Sequence, residues 1–333
     1  GWVNTTDGEI FICTDATTDQ NVWYNVGGGE GDVQPWIFQG TVSGYTMGGI
    51  STTIIDKFSL TSDANATDVG DLTVARESIA GSKSITHGYA SGGGGPVSDV
   101  IEKFTFAVDA NATDVGNLTV ARTSVAGQCS ATHGYTCCGT VGGSPASGNR
   151  NIIDKFTFAS DANATDVGDS TINRTHLSSQ TSTTHGYASG GHVAPDSPTN
   201  TIDKFTFSSD ANATDVGDLT ISRYSPSGQS SSTHGYASGG LNGISSTTDL
   251  SNRIDKFTFA SDANATNVGN LVFARYRLGG GGQSSTTHGY TCGGTVGGTH
   301  RNEIEKHSFA SDANATDVAD LTSVRSMTAG TQK

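Results

Sequence analysis

One pentapeptide constrains the fold of this chain more than any other feature. Asp-Ala-Asn-Ala-Thr occurs six times in 333 residues, beginning at Asp63, Asp109, Asp161, Asp210, Asp262 and Asp312. A fixed period of this size is the signature of repeat architectures, in which each copy forms one supersecondary unit and neighbouring copies bury a shared core. The chain is therefore predicted to contain six similar units.

The spacing within each copy shows which parts are rigid. An acidic residue precedes the pentapeptide and an Arg follows it, always twenty residues apart, as from Asp56 to Arg76. A Gly-Tyr pair follows each Arg, after 13 residues in four of five copies and after 15 between Arg275 and Tyr290. From that Tyr to the next acidic residue the distance varies between 11 and 19 residues. Most of the length variation is therefore confined to one loop per copy.

Each copy is predicted to form four antiparallel strands. In the fifth, strand a covers residues 229–233, strand b 236–240 and strand c 254–259, and strand d ends near Arg275. We expect a two-residue hairpin turn at His234-Gly235, because Gly and, less readily, His tolerate a positive φ. Small residues in strand a suit the crowded centre of a radial array.

Six such units predict an all-β, six-bladed propeller. We expect residues 36–333 to form it, with strand a of the first blade at 37–42 and the tail after Arg325 lying on the first or last blade. Residues 1–35 are predicted to be a small aromatic β module and a Gly-rich linker. Trp2, Trp23 and Trp36 offer it stacking surfaces for a sugar.

The constant twenty-residue spacing also predicts charge pairs. The acidic residue and the Arg are symmetric about the centre of the c–d hairpin, near residue 66 in the first copy, so we expect them to face each other within a blade and to be structural. The predicted pairs are Asp56–Arg76, Glu102–Arg122, Asp154–Arg174, Asp203–Arg223, Asp255–Arg275 and Glu305–Arg325.

Strand b ending in paired glycines, an aromatic strand c and the recurrent Arg together resemble the kelch repeat over about residues 36–325, which implies a kelch-type propeller. The sequence departs from that repeat where Val69, Val115 and Val167 replace the Trp that opens strand d. Residues 1–27 are similar to small β modules in structural proteins of marine tailed bacteriophages, and more weakly to chitin-binding modules. These resemblances imply a virion structural protein.

Composition excludes several classes of partner. With 18 basic and 32 acidic residues, the chain lacks the basic footprint that nucleic acid requires. No apolar run approaches the ~20 residues of a membrane span, so no membrane insertion is predicted. The five cysteines show no metal-ligand spacing and are predicted to be free, buried thiols.

Recurrent polar residues are assigned structural roles. His87, His133, His185, His234 and His288 occupy one repeat position, on separate blades, so a shared metal site is disfavoured. The pentapeptide lacks the Gly and the Glu of a calcium loop and reads better as a turn. Its Asn lies in an N-x-T sequon, and the sequence leaves open whether it is glycosylated. No catalytic residues, metal site or cofactor are predicted.

The variable b–c loops are the predicted recognition surface, because a rigid scaffold that presents variable loops is a common layout for binding. Candidate ligand-binding residues there are Arg150, His192, Asp196, Asn242, His300 and Arg301. The leading hypothesis is a non-enzymatic virion module, tail- or fibre-associated, that binds a host surface glycan or protein and assembles homo-oligomerically with other structural subunits. The alternatives are an extracellular adhesin or surface-layer propeller of a bacterium or archaeon, and a glycan-active enzyme.

Overall fold

The computed structural model describes residues 2–3, 10–17, 21–25, 36–142, 148–193, 197–243 and 245–333. The chain divides into two compact units, Gly1–Ile37 and Phe38–Lys333. The first contains a three-stranded antiparallel sheet of Trp2–Val3, Ile10–Asp15 and Val22–Asn25. The second is the predicted six-bladed propeller, with one antiparallel sheet per blade.

The four strands of each blade follow the order a-b-c-d from the axis outwards. From blade one to blade six, strand a is Ala329–Gln332, Ala80–Lys83, Ala126–Cys129, Ser178–Thr181, Ser227–Ser230 and Gln283–Ser284. Strand b is Ser43–Met47, His87–Ser91, His133–Cys137, His185–Ser189, His234–Ser238 and His288–Cys292. Strand c is Ile54–Ser59, Val100–Thr105, Ile152–Thr157, Thr201–Thr206, Arg253–Thr258 and Thr299–Ser308. Strand d is Thr67–Asp71, Thr113–Asn117, Thr165–Asp169, Thr214–Asp218, Thr266–Asn270 and Thr316–Arg325. Short strands His192–Val193, Ser197–Pro198 and Thr295–Val296 lie in b–c loops.

The ring is closed by the C-terminus. Ala329–Gln332 pairs with Ser43–Met47 and supplies strand a of blade one. The tail therefore lies on the first blade, as expected, but the prediction that residues 37–42 form this strand is wrong. Residues 329–331, Ala-Gly-Thr, match the small residues Ala-Gly-Ser at 80–82, whereas 37–42 begins with Ile-Phe, which is too bulky for the axis.

Residues 38–42 instead run across one end of the axial channel. The Gln39 side chain donates to the Ser230 carbonyl at 2.8 Å, and the Gly40 amide donates to the Ser284 carbonyl at 2.7 Å. The channel itself is narrow, because neighbouring strands a nearly touch. A Cβ on Gly127 would lie 2.3 Å from the Gly81 carbonyl oxygen, so no larger residue fits there.

The twelve predicted charge-pair residues all form buried ion pairs, but the predicted partners are wrong. Asp56 lies opposite Asp68 in the c–d hairpin, not opposite Arg76. The hairpin turn is centred four residues earlier than expected, and the Arg lies beyond the end of strand d in five blades and is its last residue in blade six. Each Arg instead reaches the acidic residue of the next blade. The pairs are Arg76–Glu102, Arg122–Asp154, Arg174–Asp203, Arg223–Asp255, Arg275–Glu305 and Arg325–Asp56.

The Arg of one blade also satisfies backbone groups of the next. Arg174 donates to the carbonyls of Gly190 at 2.9 Å, Thr201 at 2.8 Å and Ala188 at 2.9 Å, besides pairing with Asp203 at 2.9 Å. The Asp203 carboxylate in turn accepts from the amide and the hydroxyl of Thr171. Each boundary is therefore fixed by a charged clamp with its hydrogen bonds largely satisfied.

The pentapeptide makes a second set of contacts between blades. Asp109 pairs with Lys57 of the preceding blade at 2.7 Å. The Asn111 side-chain oxygen accepts from the Asp71 amide at 3.1 Å, and the Ala112 amide donates to the Asp71 carbonyl at 2.8 Å. Equivalent contacts occur at all six boundaries. They explain why the motif is repeated without invoking a bound cation.

The predicted His-Gly turn is wrong. The a–b hairpin turns at the preceding residues, where the Ser231 amide donates to the His234 carbonyl at 2.9 Å and the Ser231 hydroxyl accepts from the amides of Thr233 and His234. The His begins strand b, and its Nδ1 lies 2.8 Å from the preceding Thr hydroxyl in all five copies. A seryl side chain closes this turn, so no positive φ is needed at the His.

We predict that Arg223→Met will destabilise the propeller by about 3–5 kcal/mol, because it leaves the fully buried Asp255 carboxylate without its charged partner. Chemical unfolding of the single and double variants measures the coupling. Asp255→Leu should recover part of the loss, whereas Asp203→Leu should add its own independent cost. Coupling to Asp203 instead of Asp255 would contradict the observed register.

A second prediction concerns His307, which replaces the Phe of strand c in the five other blades and is buried with both ring nitrogens lacking a hydrogen-bond partner. His307→Phe should stabilise the fold by about 1–3 kcal/mol. Burial lowers the pKa of His307 to about 3, so the unfolded chain binds more protons between about pH 6.5 and pH 3 and stability falls on acidification. Thermal melts at pH 7 and pH 5 should show a larger gain at pH 5, and an equal gain at both would contradict this account.

Candidate ligand pocket on the variable face

The b–c loops and the d–a connections lie on one face of the propeller, which we call the variable face. At five boundaries the residue after the clamp Arg bridges to the b–c loop of the next blade, three residues beyond strand b, as Glu77 does to Gly94, Thr123 to Thr140 and Thr175 to His192. These bridges attach each variable loop to the rigid part of the preceding blade. The b–c loops, which differ in length and sequence between blades, therefore surround the opening of the axial channel on this face.

A ring of six residues surrounds that mouth. The second residue after each clamp Arg has a φ of 54° to 58°. The left-handed turn directs the amide of one ring member to the carbonyl of the previous one, as from Ser124 to Ser78 at 2.9 Å and from His176 to Ser124 at 3.0 Å. The ring members are Ser78, Ser124, His176, Ser225, Arg277 and Met327.

The two-residue insertion after Arg275 enters this mouth. The Gly280 carbonyl accepts from the Ser179 amide at 2.7 Å and from its hydroxyl at 3.1 Å, across the axis from its own blade. A Cβ on Gly280 would lie about 3 Å from the carbonyls of Leu177 and Val125. Only glycine fits this path, so the longer spacing plugs the channel.

Pockets that bind small ligands typically enclose about 300–1,000 Å³. A cavity of ≈ 430 Å³ opens beside the ring, between blades two, three and four. Its polar lining comes from Glu77, Ser78, Thr123, Ser124, Thr140, Asn149, Thr175, His176, His192 and Tyr224. We call it the variable-face pocket. Its size suits one or two polar rings.

Two lining groups are buried and lack partners. Asn149 is 6% exposed, and its Nδ2 donates to the His192 carbonyl at 3.3 Å while its Oδ1 has no hydrogen bond. The Thr140 hydroxyl is likewise buried and unbonded. An unpaired buried acceptor costs about 1–3 kcal/mol, so a ligand donor placed there would gain that energy.

Three aromatic rings form one wall. Tyr224 lies edge-on to His192, with ring centroids 5.0 Å apart, and to His176, at 6.2 Å. Burial lowers the pKa of His176 to about 4, with smaller contributions from His192 and Arg277. The His176 ring is therefore neutral at pH 7. It lies 2.8 Å from the Thr175 hydroxyl and 3.1 Å from the Ser124 hydroxyl.

The candidate residues from sequence do not form one site. His192 lines the variable-face pocket, and Arg150 lies beside it, donating to the carbonyls of Gly148 and Asn149. Asn242 is exposed on the loop of blade five, and Asp196 falls outside the described residues.

The last two candidates lie in blade six. His300 is within reach of the hydroxyls of Thr295 at 3.3 Å and Ser326 at 3.2 Å. Arg301 pairs with Glu303 and lies over the Phe273 ring, 4.9 Å from its centroid. Its guanidinium is therefore already used within the fold.

Sequence reasoning missed Glu77, His176 and Tyr224, which follow the clamp Arg. These positions lie in the segment between the Arg and the next Tyr, whose length is nearly constant, and the constant length suggested that its side chains would also be similar in every copy. The signal was nevertheless present, because the two-residue sequence after the Arg is different in all six copies.

Comparison with known proteins supports the fold alone. No protein-family model and no curated protein matches the chain. The fold is similar to the solved structure of YjhT, with a TM-score of 0.65 and 11% sequence identity over 84% of this chain and 98% of that one. Among the described residues, no group of three or more His, Cys, Asp or Glu side chains could hold a metal ion, and no helix is long and apolar enough to cross a membrane.

Proposed function

We propose that this protein is a non-enzymatic recognition module that binds a host surface glycan or protein through its variable face, with the variable-face pocket holding one polar group of the ligand. The observation that carries the proposal is a ligand-sized cavity whose lining includes Asn149, a buried side chain with an unpartnered Oδ1. Its surroundings, neutral imidazole, hydroxyls and an aromatic edge, suit a hydroxyl-rich ligand.

The pocket chemistry favours binding over hydrolysis. Glu77 is the one carboxylate among the described lining residues. Glycosidases generally need two carboxylates that flank the scissile bond. The rigid backbone ring beneath the pocket also favours a preformed site over one that closes on a substrate.

The proposed setting is the surface of a virion, where the propeller would assemble with other structural subunits. This part of the proposal is supported by the resemblance of residues 1–27 to small β modules of phage structural proteins. An acidic chain with a net charge of −14 stays soluble and avoids nucleic acid, which suits an exposed particle component.

The test is a glycan array read for both retention and cleavage. Asn149→Leu removes the unpaired acceptor with little change in volume, so it should weaken retention at least about tenfold while leaving the melting temperature equal or higher. Asn242→Ala, on the same face but outside the pocket, is the matched control and should bind like the parent. Equal retention by Asn149→Leu, or cleavage of an arrayed glycan by the parent, would overturn the proposal.

A further inference from the structure

The boundary between blades six and one differs from the other five. At each of those five boundaries, the Phe immediately after strand c stacks on the strand-b Tyr of the preceding blade. The ring centroids are 4.7–5.1 Å apart and the ring planes are inclined by 23–26°. The five stacked pairs are Tyr45–Phe106, Tyr89–Phe158, Tyr135–Phe207, Tyr187–Phe259 and Tyr236–Phe309. At the sixth boundary the position is Leu60, and the Tyr290 hydroxyl donates to the Leu60 carbonyl at 3.4 Å.

A cleft of ≈ 360 Å³ lies at this boundary, on the face opposite the variable face. Blade six contributes residues 285–288, blade one contributes Leu60, Thr61 and Asp63, and the chain entering the propeller contributes Gly40 and Thr41. The entering chain lies against this boundary, where the Leu60 amide donates to the Val42 carbonyl at 3.0 Å. Leu60, which is smaller than the Phe at the other boundaries, and the entering chain, which forms a third wall, together create a cleft that we call the boundary cleft.

The functional groups of the boundary cleft are balanced in charge. Lys306 and Asp63 form an ion pair at 2.6 Å, with the carboxylate about half exposed. His288 Nδ1 lies 2.8 Å from the Thr287 hydroxyl, which leaves Nε2 available to a ligand. Burial lowers the pKa of His288, and Lys306 lowers it further, so the ring is neutral at pH 7. Thr41, Thr61 and Thr286 add hydroxyl groups.

We propose that the boundary cleft binds one neutral sugar residue, whose hydroxyls bond to Asp63, Lys306 and His288. A phosphate or carboxylate ligand is disfavoured, because the single cation is already neutralised and the exposed carboxylate repels anions. An apolar ligand is disfavoured by the polar lining. This site is independent of the variable-face pocket and gives the propeller a second binding surface on its other face.

The decisive variant is Leu60→Phe, which recreates the stacked pair of the five other boundaries and fills the cleft. Because it copies a packing that the protein already uses, it should fold with an equal or higher melting temperature. The probes are the methyl glycosides of glucose, galactose, mannose and N-acetylglucosamine, titrated against the intact chain by ligand-observed NMR. We expect at least one glycoside to bind the parent with a Kd below about 10 mM and to bind Leu60→Phe at least about tenfold more weakly.

Two further variants separate the possible outcomes. Asp63→Asn keeps the shape of the cleft but removes the carboxylate, so it should also weaken binding, which covers the case of poor folding by Leu60→Phe. Asn149→Leu, in the variable-face pocket, should leave this binding unchanged, so failure of one site is distinguishable from failure of the other. The proposal is overturned if no glycoside binds the parent, or if both cleft variants bind as well as the parent does.

Discussion

The propeller depends on one interaction, the buried pair between the Arg that ends one blade and the carboxylate in strand c of the next. A buried charge without a partner is costly, so each blade is incomplete until its neighbour is in place. Arg122 and Asp154 are both fully buried, and Thr119 and three backbone carbonyls satisfy most of their remaining hydrogen-bonding groups, leaving only the Arg122 Nε without a partner among the described residues. Six such clamps make the ring cooperative, and the last of them, Arg325–Asp56, joins the last blade to the first.

The pentapeptide acts at the same boundaries from the outer side. Exposed Lys–Asp pairs contribute little individually, typically below about 1 kcal/mol, but the Asn and Ala contacts fix the register of one blade on the next. Close packing adds a steric limit, because a Cβ on Gly70 would lie 2.5 Å from the Ala110 carbonyl oxygen. Six repeated contacts of this kind explain why so much of the sequence is copied with so little change.

Where the copies differ, the propeller acquires distinct surfaces. The two residues after the clamp Arg vary between copies because the bridges to the next blade and the axial ring are built mainly from their backbone groups. There Glu77, His176 and Tyr224 line a pocket. Leu60 interrupts a stacking pattern kept at five boundaries, at the boundary where Gly40 and Thr41 of the entering chain line a cleft. Both cavities occur where the sixfold pattern is broken. Function in a repeat protein of this type is best sought at such departures.

The sequence by itself determined the number of blades, four strands in each, the identity of the buried charges and the face on which loop lengths vary, because periodicity and spacing are local properties of the chain. Tertiary structure decided the partners. Arg76 pairs with Glu102 rather than Asp56 because the c–d hairpin turns earlier in the sequence than the acidic–Arg spacing suggested, which places Asp68 opposite Asp56. Contacts between blades cannot be read from the spacing within one repeat. Likewise, residues 329–332 rather than 37–42 complete blade one, and His192 meets Asn149 and Tyr224 while Arg301 does not. Such choices depend on which surfaces come together when the ring closes, and only the closed ring determines them.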